Sequence, residues 1–106
     1  MHKEKILIVE DERIVSIDLK YILTNLGYEV VGQISKGYEA IEYTLHNKVD
    51  AVLMDIGLRG DIDGIETAVQ IKKNINIPIV FVTANSDEST LQRSKEANPQ
   101  GYILTI

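Results

Sequence analysis

KILIVEDERIVSIDLKYILTNLGYEVVGQI, residues 5–34, reads as strand, helix, strand. Residues 5–10 are a short apolar run with β-branched members, the pattern of a strand buried on both faces. Residues 12–26 carry Ile14, Val15, Ile17, Leu19, Ile22, Leu23 and Leu26, several at the three- and four-residue spacings of a helix face. Gly27 stands where that helix must turn through a left-handed residue. Residues 28–34 then predict a second strand.

The alternation continues outward from this unit. Ser35 is placed to cap a second helix over about 36–47, with Ala40, Ile41 and Leu45 on its inner face. Residues 50–54, DAVLM, predict a third strand ending at Asp55. The loop over 56–61 contains Gly57 and Gly60, and Asp63 is set to cap a helix over 64–74. Pro78 opens a fourth strand over 77–82, Ser86 caps a fourth helix over 87–97, and Pro99 stops it. Residues 101–104 predict a fifth short strand. Strands joined by helices of this length run parallel with right-handed crossovers. The expectation is a single α/β domain over 1–106, an open, doubly wound sheet.

Composition narrows the function classes. The chain has 106 residues, 44 % hydrophobic and 25 % charged, ordinary values for a soluble globular domain. Its formal net charge of −5 argues against nucleic acid and against an anionic membrane surface as partners. With no cysteine, neither a disulfide framework nor a thiolate metal site can form. No signal-like leader and no membrane-length apolar run is present, so the expected location is the cytoplasm.

Ligands of such a sheet bind beyond the carboxyl ends of the strands, where strand order reverses. The first strand ends in Glu10, Asp11 and Glu12, the third in Asp55, and the fourth in Thr83 and Ala84. If the first and third strands are neighbours, several carboxylates meet in one crevice. Like charges so close repel and raise one another's pKa. A hard divalent cation relieves that repulsion, and Mg²⁺ suits a few carboxylates plus waters and a phosphate. Each residue also has an ordinary reading taken singly: acids at a helix N-terminus, an acid at a turn, a threonine ending a strand. Their convergence on one edge favours the functional reading.

ILIVEDE, AVLMDIGLRGDIDGIE, IPIVFVTA and GYIL, in that order and at these spacings, resemble the receiver domains of two-component response regulators. SKGYEA before the second helix body matches as well, and the resemblance covers essentially residues 4–104. It implies a five-stranded, flavodoxin-like parallel sheet of order 2-1-3-4-5 and a phosphoacceptor switch of a phosphorelay, not an enzyme in the usual sense. Carried over position by position, it makes Asp55 the phosphoacceptor. Glu10 and Asp11 take the metal-binding acid pair, and Gly57 lends its backbone carbonyl to the Mg²⁺ that Asp55 shares. Thr83 becomes the switch hydroxyl and Tyr102 the aromatic residue whose rotamer follows it. The implied partner is a sensor histidine kinase or phosphotransfer protein.

Two features depart from the family pattern. The loop after Asp55, IGLRGDIDG, lacks the commoner proline and is one residue longer. More seriously, the position of the family lysine after GYIL is Thr105, followed by Ile106. Losing a unit charge about 4 Å from the phosphoryl group removes up to about 4 kcal/mol of attraction at an intermediate dielectric. The fifth helix of the family is also absent, which leaves an apolar face to be covered by self-association, by a partner, or by sequence missing from a shortened chain. These departures support an alternative, a degenerate receiver acting as a constitutive interaction or dimerisation module. A third reading, a Mg²⁺-dependent phosphatase with an aspartyl nucleophile, expects a second acid two residues on, where this chain has Gly57.

Overall fold

The computed structural model of the chain describes residues 2–84 and 88–104. Five strands, β1 (Lys5–Val9), β2 (Glu29–Ile34), β3 (Ala51–Asp55), β4 (Ile79–Thr83) and β5 (Gly101–Leu104), form a parallel sheet of order β2-β1-β3-β4-β5. Helices α1 (Arg13–Asn25), α2 (Gly37–His46), α3 (Gly64–Asn74) and α4 (Glu88–Ser94) connect them. The expected doubly wound architecture is therefore the one observed, and among the described residues no helix follows β5.

The two faces of the sheet are covered unequally. On one, Leu7, Val9, Val52, Met54, Ile79 and Phe81 pack beneath Ala40 of α2 and Ile65, Ala68 and Ile71 of α3. On the other, Ile6, Ile8, Leu53 and Val82 pack with Leu19 of α1. Apolar burial at roughly 25 cal/mol per Å² makes the first face the main source of stability. α1 keeps Val15 and Leu23 half-buried against the smaller cluster but leaves Ile14, Ile17, Tyr21, Ile22 and Leu26 exposed. Its apolar residues thus make two stripes, and only one of them is covered.

Local chemistry explains the element boundaries, including those that differ from expectation. Gly27 has φ +97°, as the left-handed residue ending α1 requires. Asp63 caps α3 by accepting the Glu66 N–H at 2.9 Å, as expected. Ser35 does not cap α2: the cap position is Lys36, and no side chain bonds the free N–H groups there. Leu45 is exposed, and the inner face of α2 is completed instead by Tyr43 and Thr44. β4 starts one residue after Pro78, which has no N–H for the ladder, although its carbonyl accepts from Val52. α4 ends at Ser94 and tightens into a 3-10 turn, Lys95–Ala97, before Pro99 is reached. Asn98 takes φ +47°, the left-handed conformation that asparagine tolerates and that ends a helical segment. The expected cap Ser86 lies outside the described residues, as does Thr105.

Candidate functional site

Strand register builds the site. β1 and β3 are hydrogen-bonded neighbours, with Val9 opposite Met54. The next residues along the chain, Glu10 just past β1 and Asp55 at the end of β3, therefore stand at the same level, with Asp11 one step further. Carboxylate oxygens of Glu10, Asp11 and Asp55 all lie within 4.8 Å of one another. Each is held in place. The Glu10 amide donates to Ile34 O at 2.9 Å, and its Oε2 accepts the Glu12 N–H at 3.0 Å. Asp55 Oδ1 accepts the Gly57 N–H at 2.9 Å, and Asp55 O accepts from Leu58 in the turn that follows. Asp11 Oδ2 accepts both the backbone N–H of Arg59, at 3.2 Å, and its Nε–H, at 3.0 Å.

Crowding perturbs the acids as electrostatics requires. Burial, reinforced by Asp55, pushes the Glu10 carboxyl up to about 8, although the Glu12 amide opposes the rise. Burial also raises Asp55, and the neighbouring Asp11 charge adds to this. Asp11 is partly buried too, yet hydrogen bonds and charge from Arg59 together outweigh the burial and hold it below the usual range. Octahedral Mg²⁺ takes oxygens at about 2.0–2.1 Å, so opposed ligands stand roughly 4 Å apart. A trio of oxygens within 4.8 Å needs little adjustment to meet that geometry, and its mutual repulsion favours a divalent cation. The residues present fit such an ion. Among the described residues His2, Glu4 and Asp50 form another group of this kind, at the opposite end of the strands.

The remaining candidates lie along β4 and β5. Thr83 is buried at the end of β4, one residue beyond the Val82 that pairs with Asp55. Tyr102 pairs with Phe81 across the β4–β5 ladder, and the two rings stack with centroids 6.0 Å apart. It is therefore set back from the acids. Its hydroxyl meets Ser94 Oγ at 2.5 Å, and Ser94 is fully buried at the end of α4. Ser94 donates its single proton to Leu91 O at 2.6 Å, so Tyr102 is the donor in the shared bond. This tether was not visible in the sequence. Ser94→Ala and Tyr102→Phe should each cost about 1 kcal/mol, and the double variant little more than either single one. Denaturant unfolding of the four proteins measures this, and additive losses would contradict a shared bond.

Three further residues escaped the sequence reading. Gly64, first in α3, lies against the Asp55 backbone: a Cβ there would stand 2.0 Å from Asp55 O. Gly37, first in α2, is similarly pressed against Thr67 and Ile62. Arg59, in the loop after β3, reaches back 48 residues to Asp11. Asp-Gly at 63–64, directly after a loop and before a helix, was the available signal for Gly64. The other two contacts are long-range and have no local signature.

The model of the response regulator receiver domain family matches residues 6–104. The chain belongs to this family. Among curated relatives of this receiver domain, the transcriptional regulatory protein PdtaR of Mycobacterium tuberculosis is 36 % identical over 100 residues. The response regulator protein VraR of Staphylococcus aureus is 36 % identical over 102. Each match covers 94 % of this chain and 48 % of the relative, so the receiver spans about half the length of both. Among solved structures, the signal receiver domain of a modulated diguanylate cyclase from Desulfovibrio desulfuricans superposes with TM-score 0.93 and 39 % identity. It covers 98 % of this chain and 82 % of that one. A CheY-like receiver domain protein from Methanospirillum hungatei gives TM-score 0.86 and 26 % identity, again over 98 % and 82 %.

Proposed function

We propose that this receiver is a phosphoacceptor switch in which Asp55 takes a phosphoryl group with Mg²⁺ beside it. The observation that carries the reading is the approach of the Glu10, Asp11 and Asp55 carboxylates to within 4.8 Å of one another. These three, with the Gly57 carbonyl, would hold the ion, whose chemistry is to neutralise charge on the phosphoryl oxygens. Asp55 acts as the carboxylate nucleophile. One of its oxygens forms the new P–O bond as the P–N bond of a donor phosphohistidine breaks, and the departing imidazole keeps the electron pair. Burial at the strand end limits competing water. The Thr83 hydroxyl would then bond a phosphoryl oxygen, and Tyr102, beside the same two strands, would change rotamer with it.

The partner implied is a sensor histidine kinase or a phosphotransfer protein, which sets the receiver in the cytoplasm. The domain is regulatory, and transfers phosphoryl only to itself. Among the described residues no helix is long and apolar enough to cross a membrane. The exposed Ile14, Ile17, Tyr21 and Ile22 of α1 support a homo-oligomer built on that face. Sedimentation should then show mass rising with concentration, and a monomer throughout would end that part of the reading.

Incubation with a small acyl phosphate and Mg²⁺ should add one phosphoryl group, detected by mass spectrometry. Asp55→Asn should abolish the gain, and chelation of Mg²⁺ should reduce it at least tenfold. A gain that survives Asp55→Asn, or none in the native protein, would contradict the proposal. The degenerate alternative rested on Thr105, outside the described residues, and on the missing fifth helix; the intact acid trio favours the phosphoacceptor reading over it.

A further inference from the structure

Arg59 occupies the carboxylate that the proposed metal needs. Its Nε–H and its backbone N–H both donate to the same oxygen, Asp11 Oδ2, at 3.0 and 3.2 Å. The guanidinium is itself exposed, while the Asp11 side chain is largely covered. Its field reaches beyond Asp11, since Glu12 and Asp55 also favour its charged form. Arg59 therefore already supplies, from within the chain, part of the positive charge that the crowded acids require. The loop that carries it also forms one wall of a cleft of about 670 Å³, with Asp11, Lys36, Gly37 and Asp61 among its lining.

We propose that Arg59 is a built-in counter-cation that holds Asp11 in the metal-free receiver and competes with Mg²⁺ for it. The inference rests on the acid trio being the metal site. Two cations cannot both use Asp11 Oδ2 at full strength, because a guanidinium fork and a hard metal demand the same lone pairs and repel each other. Metal entry then requires the Arg59 side chain to leave Asp11. Its departure removes one of the two bonds that tie the loop over 56–61 to Asp11 and alters the wall of the cleft. Arg59 thereby sets the Mg²⁺ concentration at which the receiver becomes competent, and couples that threshold to loop conformation.

An exposed ion pair is weak, so competition of this kind lowers apparent metal affinity by up to about fivefold. Mg²⁺ binding is measured by calorimetry on the native protein, Arg59→Ala, Arg59→Lys and Asp55→Asn. Arg59→Ala should bind Mg²⁺ about three- to fivefold more tightly than the native protein, with Arg59→Lys in between. In parallel, the Arg59 Nε–H signal in nitrogen-15 spectra should move to the position of an arginine with no carboxylate partner as Mg²⁺ saturates the native protein. Unchanged or weaker binding by Arg59→Ala, with Asp55→Asn still impaired, would overturn the counter-cation role and leave the metal site standing. Native protein that binds no Mg²⁺, or binds it as well after Asp55→Asn, would overturn the site and this inference together.

Discussion

Gly64→Ala should destabilise the receiver by about 3 kcal/mol, the upper end of the usual cost of overpacking. A methyl group at this position meets the Asp55 carbonyl oxygen at 2.0 Å and the Ile56 Cα at 3.3 Å. Both are backbone atoms, so no side-chain rotation relieves the clash. Either the start of α3 lifts away from the sheet, or the end of β3 shifts and takes Asp55 with it. For a domain of this size the melting temperature should fall by more than about 10 °C. Gly57→Ala is the matched control. Its methyl would meet Asp55 Oδ1 at 3.6 Å, an ordinary contact, and should cost less than about 1 kcal/mol. Thermal unfolding of the two variants compares them, and a Gly64→Ala protein as stable as Gly57→Ala would show that α3 does not press on β3.

Saturating Mg²⁺ should raise the melting temperature, and the gain should grow with pH. A ligand at one hundred times its dissociation constant stabilises by about 2.7 kcal/mol, roughly 10–20 °C here. The pH dependence follows from the acids. Glu10 keeps its proton up to about 8 in the folded chain but loses it near 4.5 when unfolded. Between those values the folded state binds more protons, so this contribution is fully present below about 4.5 and is lost as pH rises toward 8. Asp55 is raised and acts in the same direction. Asp11 and Asp63 are lowered, so their contributions hold above the ordinary value of 3.8 and are lost as pH falls below it. Metal-free protein should therefore be most stable on the mildly acid side and lose stability toward pH 8. Mg²⁺ displaces the protons and removes the decline. Calorimetric scans from pH 5 to 8 with and without Mg²⁺ test this, and a metal-free curve that rises across the range would contradict it.

The alternation of strands and helices was open to a reader of the sequence because each element carries its own period and its own stops. Gly27 and Asp63 behave as their chemistry dictates, since a left-handed turn and a capped amide are decided within a few residues. Strand order was not written locally. It came with the family resemblance, and with it the meeting of Glu10 and Asp55, which no spacing along the chain encodes. The differences fall where distant packing overrides neighbours. Leu45 lies exposed because Tyr43 fills the inner face and its hydroxyl reaches Val31 O. Ile14, Ile17 and Ile22 look like core on periodicity alone, yet the sheet beneath α1 accommodates only the stripe through Val15, Leu19 and Leu23. Nothing in the loop sequence singles out Arg59, and only the fold brings it to Asp11.

Anomalous diffraction from crystals grown with Mn²⁺ tests the shared-cation site most directly. A single strong peak should stand between Glu10, Asp11 and Asp55, about 2.0–2.3 Å from an oxygen of at least Asp11 and Asp55, and should vanish in Asp55→Asn. A peak only beside His2, Glu4 and Asp50, or none at the strand ends, would contradict the account.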